Sequence, residues 1–83
     1  MKEFLHFTAD WCNPCKQMKP VIDKFISENP DIEYRVINVD NEFDITSMYE
    51  VQTIPTFISK IDGNIHDRVS GVASEFKLKS MFG

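Results

Sequence analysis

No run of apolar residues in this chain exceeds two, as in Phe4-Leu5, so no segment is long enough to span a bilayer. Basic residues are in deficit as well: nine Lys and Arg stand against 13 Asp and Glu, for a net charge of −4. Without a basic surplus to neutralise phosphates, nucleic acid is excluded as the main partner. The amino terminus, Met-Lys-Glu-Phe-Leu-His, has one basic residue and no apolar stretch behind it. No secretory signal is therefore expected, and the chain reads as cytoplasmic. Internal repeats, low-complexity runs and linkers are also missing. Eighty-three residues suffice for one domain, 1–83, and for no second. Apolar residues at 42% and charged residues at 27% match an ordinary globular domain rather than a disordered chain.

Cysteine is scarce too, with only Cys12 and Cys15, and their closeness needs a reason. A disulfide between them would close a four-residue loop, which the chain-entropy model values at ~2 kcal/mol, a weak staple. In a reducing cytosol it would not persist as scaffolding. The pair is there for redox chemistry, for a metal, or by chance.

The hydrophobic pattern places the pair. Glu3–Thr8 is short and aromatic-rich and predicts a strand. From Pro14 onward, Met18, Val21, Ile22, Phe25 and Ile26 recur at helical spacing and stop at Asn29-Pro30. Pro20 lies inside that pattern and should kink the helix. Ile32–Val39 is β-branched and aromatic, a second strand, and Asp40–Glu50 predicts a short helix entered through Asp40 or Asn41. Thr56–Ile61 and Ile65–Val69 flank Asp62-Gly63-Asn64, a hairpin signal. Ser74 can cap a last helix through Phe76, Leu78, Met81 and Phe82, with Glu75 early and Lys77 and Lys79 late, as the helix dipole prefers. The expected fold is α/β in the order β-α-β-α-β-β-α: a four-stranded mixed sheet with helices on both faces. Phe4, Phe7, Phe25, Phe57 and Phe76 are expected in the core.

Both cysteines thus fall between the first strand and the first long helix, in Ala9-Asp10-Trp11-Cys12-Asn13-Pro14-Cys15-Lys16. Free N–H groups and the positive end of the dipole at a helix start favour thiolate. Cys12 is the thiol expected to be exposed and activated, and Cys15, one turn inside, is placed to resolve a mixed disulfide formed on it. Pro14 suits a first helical turn, where its missing N–H costs nothing. Half a zinc site is the metal alternative, completed by His6 and His66, but neither histidine has finger spacing. Two inert thiols close together by accident are the other. A Cys-x-x-Cys at a strand–helix junction favours redox chemistry, with no metal bound.

Trp11-Cys12-Asn13-Pro14-Cys15-Lys16 resembles the W-C-G-P-C-K signature of the thioredoxin family, with Asn13 in place of glycine. The likeness continues in register. Pro20 resembles the family's helix-kinking proline, and Asn38-Val39-Asp40 its second-strand ending. Thr53-Ile54-Pro55-Thr56 resembles the loop whose cis-proline faces the active site, Gly63 the hairpin glycine and Gly71 the glycine lining the substrate groove. The resemblance implies a thiol–disulfide oxidoreductase that reduces protein disulfides, Cys12 as nucleophile and Cys15 as resolving thiol. It implies no bound cofactor. A reversible Cys12–Cys15 disulfide would receive electrons from NADPH through a thioredoxin reductase, with ribonucleotide reductase as one family-level substrate and a monomer as the working form. Trp11, Asn13, Pro14, Ile54, Pro55, Ser70 and Gly71 would line the substrate groove, Trp11 as an apolar wall and Ile54 through its backbone.

Two departures stand out. Where the family carries a buried aspartate ahead of the first cysteine, this sequence has His6, and the aspartate's partner lysine falls at Val36. His6 is a candidate base, since imidazole titrates near neutral pH, or else a core histidine held by a backbone hydrogen bond. Asn13 should alter the redox potential. A glutaredoxin-like carrier that uses glutathione is the nearest rival, although Gly71-Val72-Ala73-Ser74-Glu75 only partly resembles a glutathione-binding segment. A redox-inactive docking subunit is the alternative of a different class, and the intact cysteines speak against it. Met1 sits almost at the first strand, whereas ordinary thioredoxins carry a further strand and helix there. The expectation is a minimal version of the fold with the strand Glu3–Thr8 inside the sheet.

Overall fold

The computed structural model describes residues 1–83. Its elements are β1 (Lys2–Thr8), α1 (Asn13–Gln17), α2 (Lys19–Glu28), β2 (Ile32–Asn38), α3 (Phe43–Met48), β3 (Thr56–Ile61), β4 (Asn64–Ser70) and α4 (Glu75–Ser80). The sheet order is β2-β1-β3-β4. β1 pairs parallel with β2 and antiparallel with β3, so the first strand is internal, and β3–β4 is an antiparallel hairpin. Asp62 and Gly63 both have positive φ, 52° and 85°, the turn that matches the right-handed twist of two joined strands.

Alternation along β1 sends successive side chains to opposite faces. Phe4 joins Met18, Ile22, Phe25, Phe57, Leu78 and Met81 in a core under α2 and α4. Leu5 and Phe7 join Ile37 and Ile58 on the other side, where Ile45 and Tyr49 of the α3 segment pack. The four-stranded mixed sheet with helices on both faces is therefore observed. At the centre of the larger core the Phe4 ring stacks on Phe57 at 5.6 Å and meets Phe25 edge-on at 5.3 Å.

Several details differ from the sequence expectation. β1 begins at Lys2 rather than Glu3, β2 ends at Asn38 rather than Val39, and α4 ends at Ser80 before Met81 and Phe82. The first long helix is broken at Met18 rather than bent, because Pro20 has no N–H to give the Lys16 carbonyl. Ile22 N–H still donates to the Met18 carbonyl at 2.9 Å, so α2 resumes at once. The helix expected to enter through Asp40 or Asn41 begins at Phe43 after Glu42, which makes no side-chain cap. The preceding residues are held instead by Asn38, whose Oδ1 accepts from Asp40 N–H at 3.0 Å. The hairpin's second strand runs from Asn64 to Ser70, longer than Ile65–Val69. Phe76 is 81% exposed and not a core residue. Leu78 and Met81, three apart, define the buried stripe of α4, and a residue two positions from Leu78 points away from it. The Ser74 cap is present, its Oγ accepting from Lys77 N–H at 3.2 Å.

Candidate active site

The loop that leaves β1 turns back on itself, with Cys12 N–H donating to the Ala9 carbonyl at 3.1 Å. Cys12 then takes the N-cap position of α1 in extended conformation, and its Sγ accepts from Cys15 N–H at 3.2 Å. This one backbone donor, rather than the dipole of a long helix, is the concrete source of positive charge at Cys12, because α1 ends after five residues. Cys12 and Cys15 are joined in a disulfide. Contrary to the expectation of an exposed nucleophile, Cys12 is 3% exposed and Cys15 5%. In the oxidised form the two cysteines cluster with Ala9, and Val39 and Ile54 pack against them. No group of three or more His, Cys, Asp or Glu side chains is placed to hold a metal ion.

Most residues picked out in the sequence gather around this disulfide. The Ile54–Pro55 peptide is cis. Pro55 is buried, and Ile54 packs against the Cys12–Cys15 cluster. Gly71 N–H donates to the Pro55 carbonyl at 2.8 Å, and the Ser70 hydroxyl lies 3.3 Å from that of Thr56. The start of the Ser70-Gly71 turn is thus tied to the proline loop, and Gly71 has a φ of 92°, a conformation that disfavours any side chain. Asn13 and Pro14 are exposed beside the disulfide.

Trp11 is 66% exposed and does not pack into the core. Its Nε1–H donates to Asp40 Oδ2 at 2.8 Å, which holds the ring at one wall of a shallow groove of about 400 Å³ between Trp11, Phe43, Val51 and Ile54. Neither Asp40 nor Phe43 is among the groove residues expected from the sequence. The ending Asn38-Val39-Asp40 was noted for its likeness to a family motif, yet nothing in a linear pattern pairs Asp40 with an indole 29 residues away. Phe43, the first residue of α3, is 72% exposed.

His6 stands apart from the groove, on the opposite side of the disulfide. It lines a cavity of about 520 Å³ together with Cys15, Lys19, Asp23, Tyr34 and Val36. The residue is 6% exposed, and its ring stacks on Phe57 at 4.8 Å. It makes no backbone hydrogen bond through its side chain. Its Nδ1 lies 3.0 Å from the Tyr34 hydroxyl, and its Nε2 is buried without a partner. Burial lowers its pKa to about 4, so the imidazole is neutral at neutral pH. Burial, then the charge of Asp23, pushes the Tyr34 phenol up to about 12, so it keeps its proton. Val36 pairs with His6 across the parallel ladder. No lysine faces the histidine at the position opposite it.

A family model described as Thioredoxin matches residues 2–82. The thioredoxin of Mycoplasmoides gallisepticum is 32% identical over 80 residues, which cover 96% of this chain and 80% of that protein. Mitochondrial thioredoxin-3 of Saccharomyces cerevisiae is 37% identical over 70 residues, 84% of this chain and 55% of that one. The chain thus spans about half the length of the latter relative and four-fifths of the former. The crystal structure of the oxidised yeast mitochondrial thioredoxin 3 superposes with a TM-score of 0.90, at 33% identity, over 98% of this chain and 76% of that one.

Proposed function

The chain belongs to the thioredoxin family of thiol–disulfide oxidoreductases, and from that premise we propose that it carries electrons to disulfide-bonded proteins. The observation that carries this reading is the Cys12–Cys15 disulfide seated against Ile54 beside the cis Ile54–Pro55 peptide. Once reduced, Cys12 is the attacking thiolate, and the Cys15 N–H already directed at its Sγ offsets the negative charge there. Attack breaks the substrate disulfide and leaves the substrate joined to Cys12. Cys15 then attacks Cys12 Sγ, the Cys12–Cys15 bond re-forms, and the substrate leaves as a dithiol.

Around the disulfide, Trp11, Asn13 and Pro14 offer an exposed rim, Ile54 a backbone edge for an extended peptide, and Ser70-Gly71 a place of close approach. His6 acts as the base for the Cys15 thiol. It receives no help from a charged neighbour at Val36, and as a neutral imidazole it leaves no buried negative charge beside the thiolates. No helix is long and apolar enough to cross a membrane, and the acidic balance disfavours nucleic acid. The working form is a cytoplasmic, single-domain monomer. Its electrons come from NADPH through a thioredoxin reductase, and its substrates are disulfide proteins of the ribonucleotide reductase kind.

The test is NADPH oxidation with a protein disulfide as acceptor, in one arm with a thioredoxin reductase and in the other with glutathione and its reductase. Turnover in the first arm, abolished by Cys12→Ser, is expected. Turnover only with glutathione would replace this reading by a glutaredoxin-like one. Full biological activity in the double Cys12→Ser, Cys15→Ser variant would identify a docking subunit instead.

A further inference from the structure

We propose that Phe43 sets substrate choice, forming with Trp11 an aromatic clamp that seats a bulky apolar side chain of the substrate beside its attacked cysteine. The inference rests on the reading of the chain as an electron carrier to disulfide-bonded proteins and adds the class of segment it reduces.

Both walls of the clamp hang from one turn. The Asn38 carbonyl accepts from Asn41 N–H at 3.0 Å and from Glu42 N–H at 2.9 Å, while Asn38 Oδ1 accepts from Asp40 N–H at 3.0 Å. The turn closed in this way presents Asp40, whose carboxylate holds the Trp11 indole at 2.8 Å. It then enters α3 at Phe43. The Glu42 carbonyl is fastened by Thr46, which donates its N–H at 3.1 Å and its hydroxyl at 2.9 Å. The backbone that carries Phe43 and the anchor that holds Trp11 are therefore fixed relative to each other before a substrate arrives, which lowers the ordering cost of binding.

Between the rings, the groove of about 400 Å³ is lined by Val39, Val51 and Ile54, and no charged side chain lines it. Val39 and Ile54 also pack against Cys12 and Cys15, so the groove begins at the disulfide itself. That continuity decides the occupant. A segment lying in the groove belongs to the molecule whose sulfur is being attacked. It meets the apolar lining with a residue next to its own cysteine, because one extended residue advances only about 3.3 Å. Two large aromatic side chains left exposed at one site mark a surface that a partner's apolar group covers.

Charge at the rim narrows the choice of segment. Glu42 and Asp44 line a neighbouring hollow that shares Phe43. Glu42 is paired with Arg35 at 3.7 Å, whereas Asp40 and Asp44 make no ion pair. Acidic flanks are therefore repelled, and neutral or basic ones are admitted.

The test uses the reduced protein and disulfide-linked dimers of a short lysine-bearing peptide that differ only in Leu or Ser on both sides of the cysteine. Quenched-flow reduction should be about ten- to a hundredfold faster for the Leu peptide. Phe43→Ser should bring the ratio of the two rates below about threefold, and Phe43→Leu should keep most of it. The ratio is the readout because a change in the reactivity of Cys12 moves both rates alike and cancels. Met48→Ser removes an exposed apolar side chain of α3 that does not line the groove, and it should keep the wild-type ratio. Equal rates for the two peptides in the wild type would overturn the proposal and leave the chain a disulfide reductase. An unaltered ratio in Phe43→Ser, or an equal loss in Met48→Ser, would overturn it as well. Reduction of neither peptide would remove the electron-carrier reading and this one together. If Phe43→Ser does not fold, the Cys15→Ser protein holding the Leu peptide as a mixed disulfide on Cys12 decides. NMR contacts from the leucine methyls to both rings are expected, and contacts to Trp11 alone would refute the role of Phe43.

Discussion

Burial of His6 has a consequence for stability as well as for proton transfer. Its pKa is lowered from 6.5 to about 4, so as pH falls the unfolded chain takes up a proton near 6.5 that the folded protein refuses until about 4. Over that window the unfolded state binds more protons, and stability falls as pH falls. A shift of this size corresponds to about 3 kcal/mol, present in full above pH 6.5 and lost at about pH 4. Urea unfolding of the wild type should show this slope, and His6→Leu should flatten it. An equal slope in both proteins would show that other groups account for the acid sensitivity. Cys12 and Cys15 could be picked out because their spacing and position before a helix are local facts. That His6 would be held by a tyrosine hydroxyl rather than by the backbone could not, since Tyr34 reaches it only through the β1–β2 pairing.

At the scale of elements, two turns with the same backbone requirement serve different ends. Gly63 and Gly71 both have positive φ, 85° and 92°, and an added Cβ meets nothing within 4 Å at either. Alanine at each should therefore cost only the conformational strain, about 1–2 kcal/mol. Gly63→Ala should leave disulfide reduction unchanged, being at the far end of the hairpin. Gly71→Ala should lower it, because Gly71 N–H is bonded to the Pro55 carbonyl beside the disulfide. Thermal denaturation and an insulin-type turbidity assay on the two variants make the comparison. Ser74→Ala removes the cap of α4 and should cost about 1 kcal/mol without affecting turnover. The caps and hairpin turn were legible because each depends on a few adjacent residues. The break at Met18 was legible only as a kink at Pro20, and the true start of α3 was not legible at all, since Asn38 holds the preceding loop through contacts that propensity does not encode.

For the whole molecule, stability is concentrated around one aromatic ring. Phe4 lies on the central strand, fully buried, with Phe25, Tyr34, Phe57 and Phe82 all within 6.0 Å of its centroid. Phe4→Ala should cost about 3–5 kcal/mol, against a net stability of ~4–12 kcal/mol for a domain of this size. The variant should be partly unfolded at 37 °C, with the loss read by calorimetry. Phe76→Ala, at a residue 81% exposed, should change stability by less than about 0.5 kcal/mol. Sequence alone could not rank these two phenylalanines, because both sit in apolar patterns of the right period.

What the amino-acid sequence determined by itself is whatever depends on neighbours along the chain. The strand–helix alternation, the Cys12–Cys15 pair at a helix start, the hairpin at Asp62-Gly63 and the cap at Ser74 are of this kind, since spacing, capping and turn chemistry act over a few residues. The tertiary structure decided what depends on distant segments meeting. It packed Val39 and Ile54 against the two cysteines, anchored Trp11 to Asp40, set Gly71 on Pro55 and placed Tyr34 against His6. Each of these contacts joins residues at least 16 positions apart, and only the strand pairing of the four-stranded sheet brings them within reach.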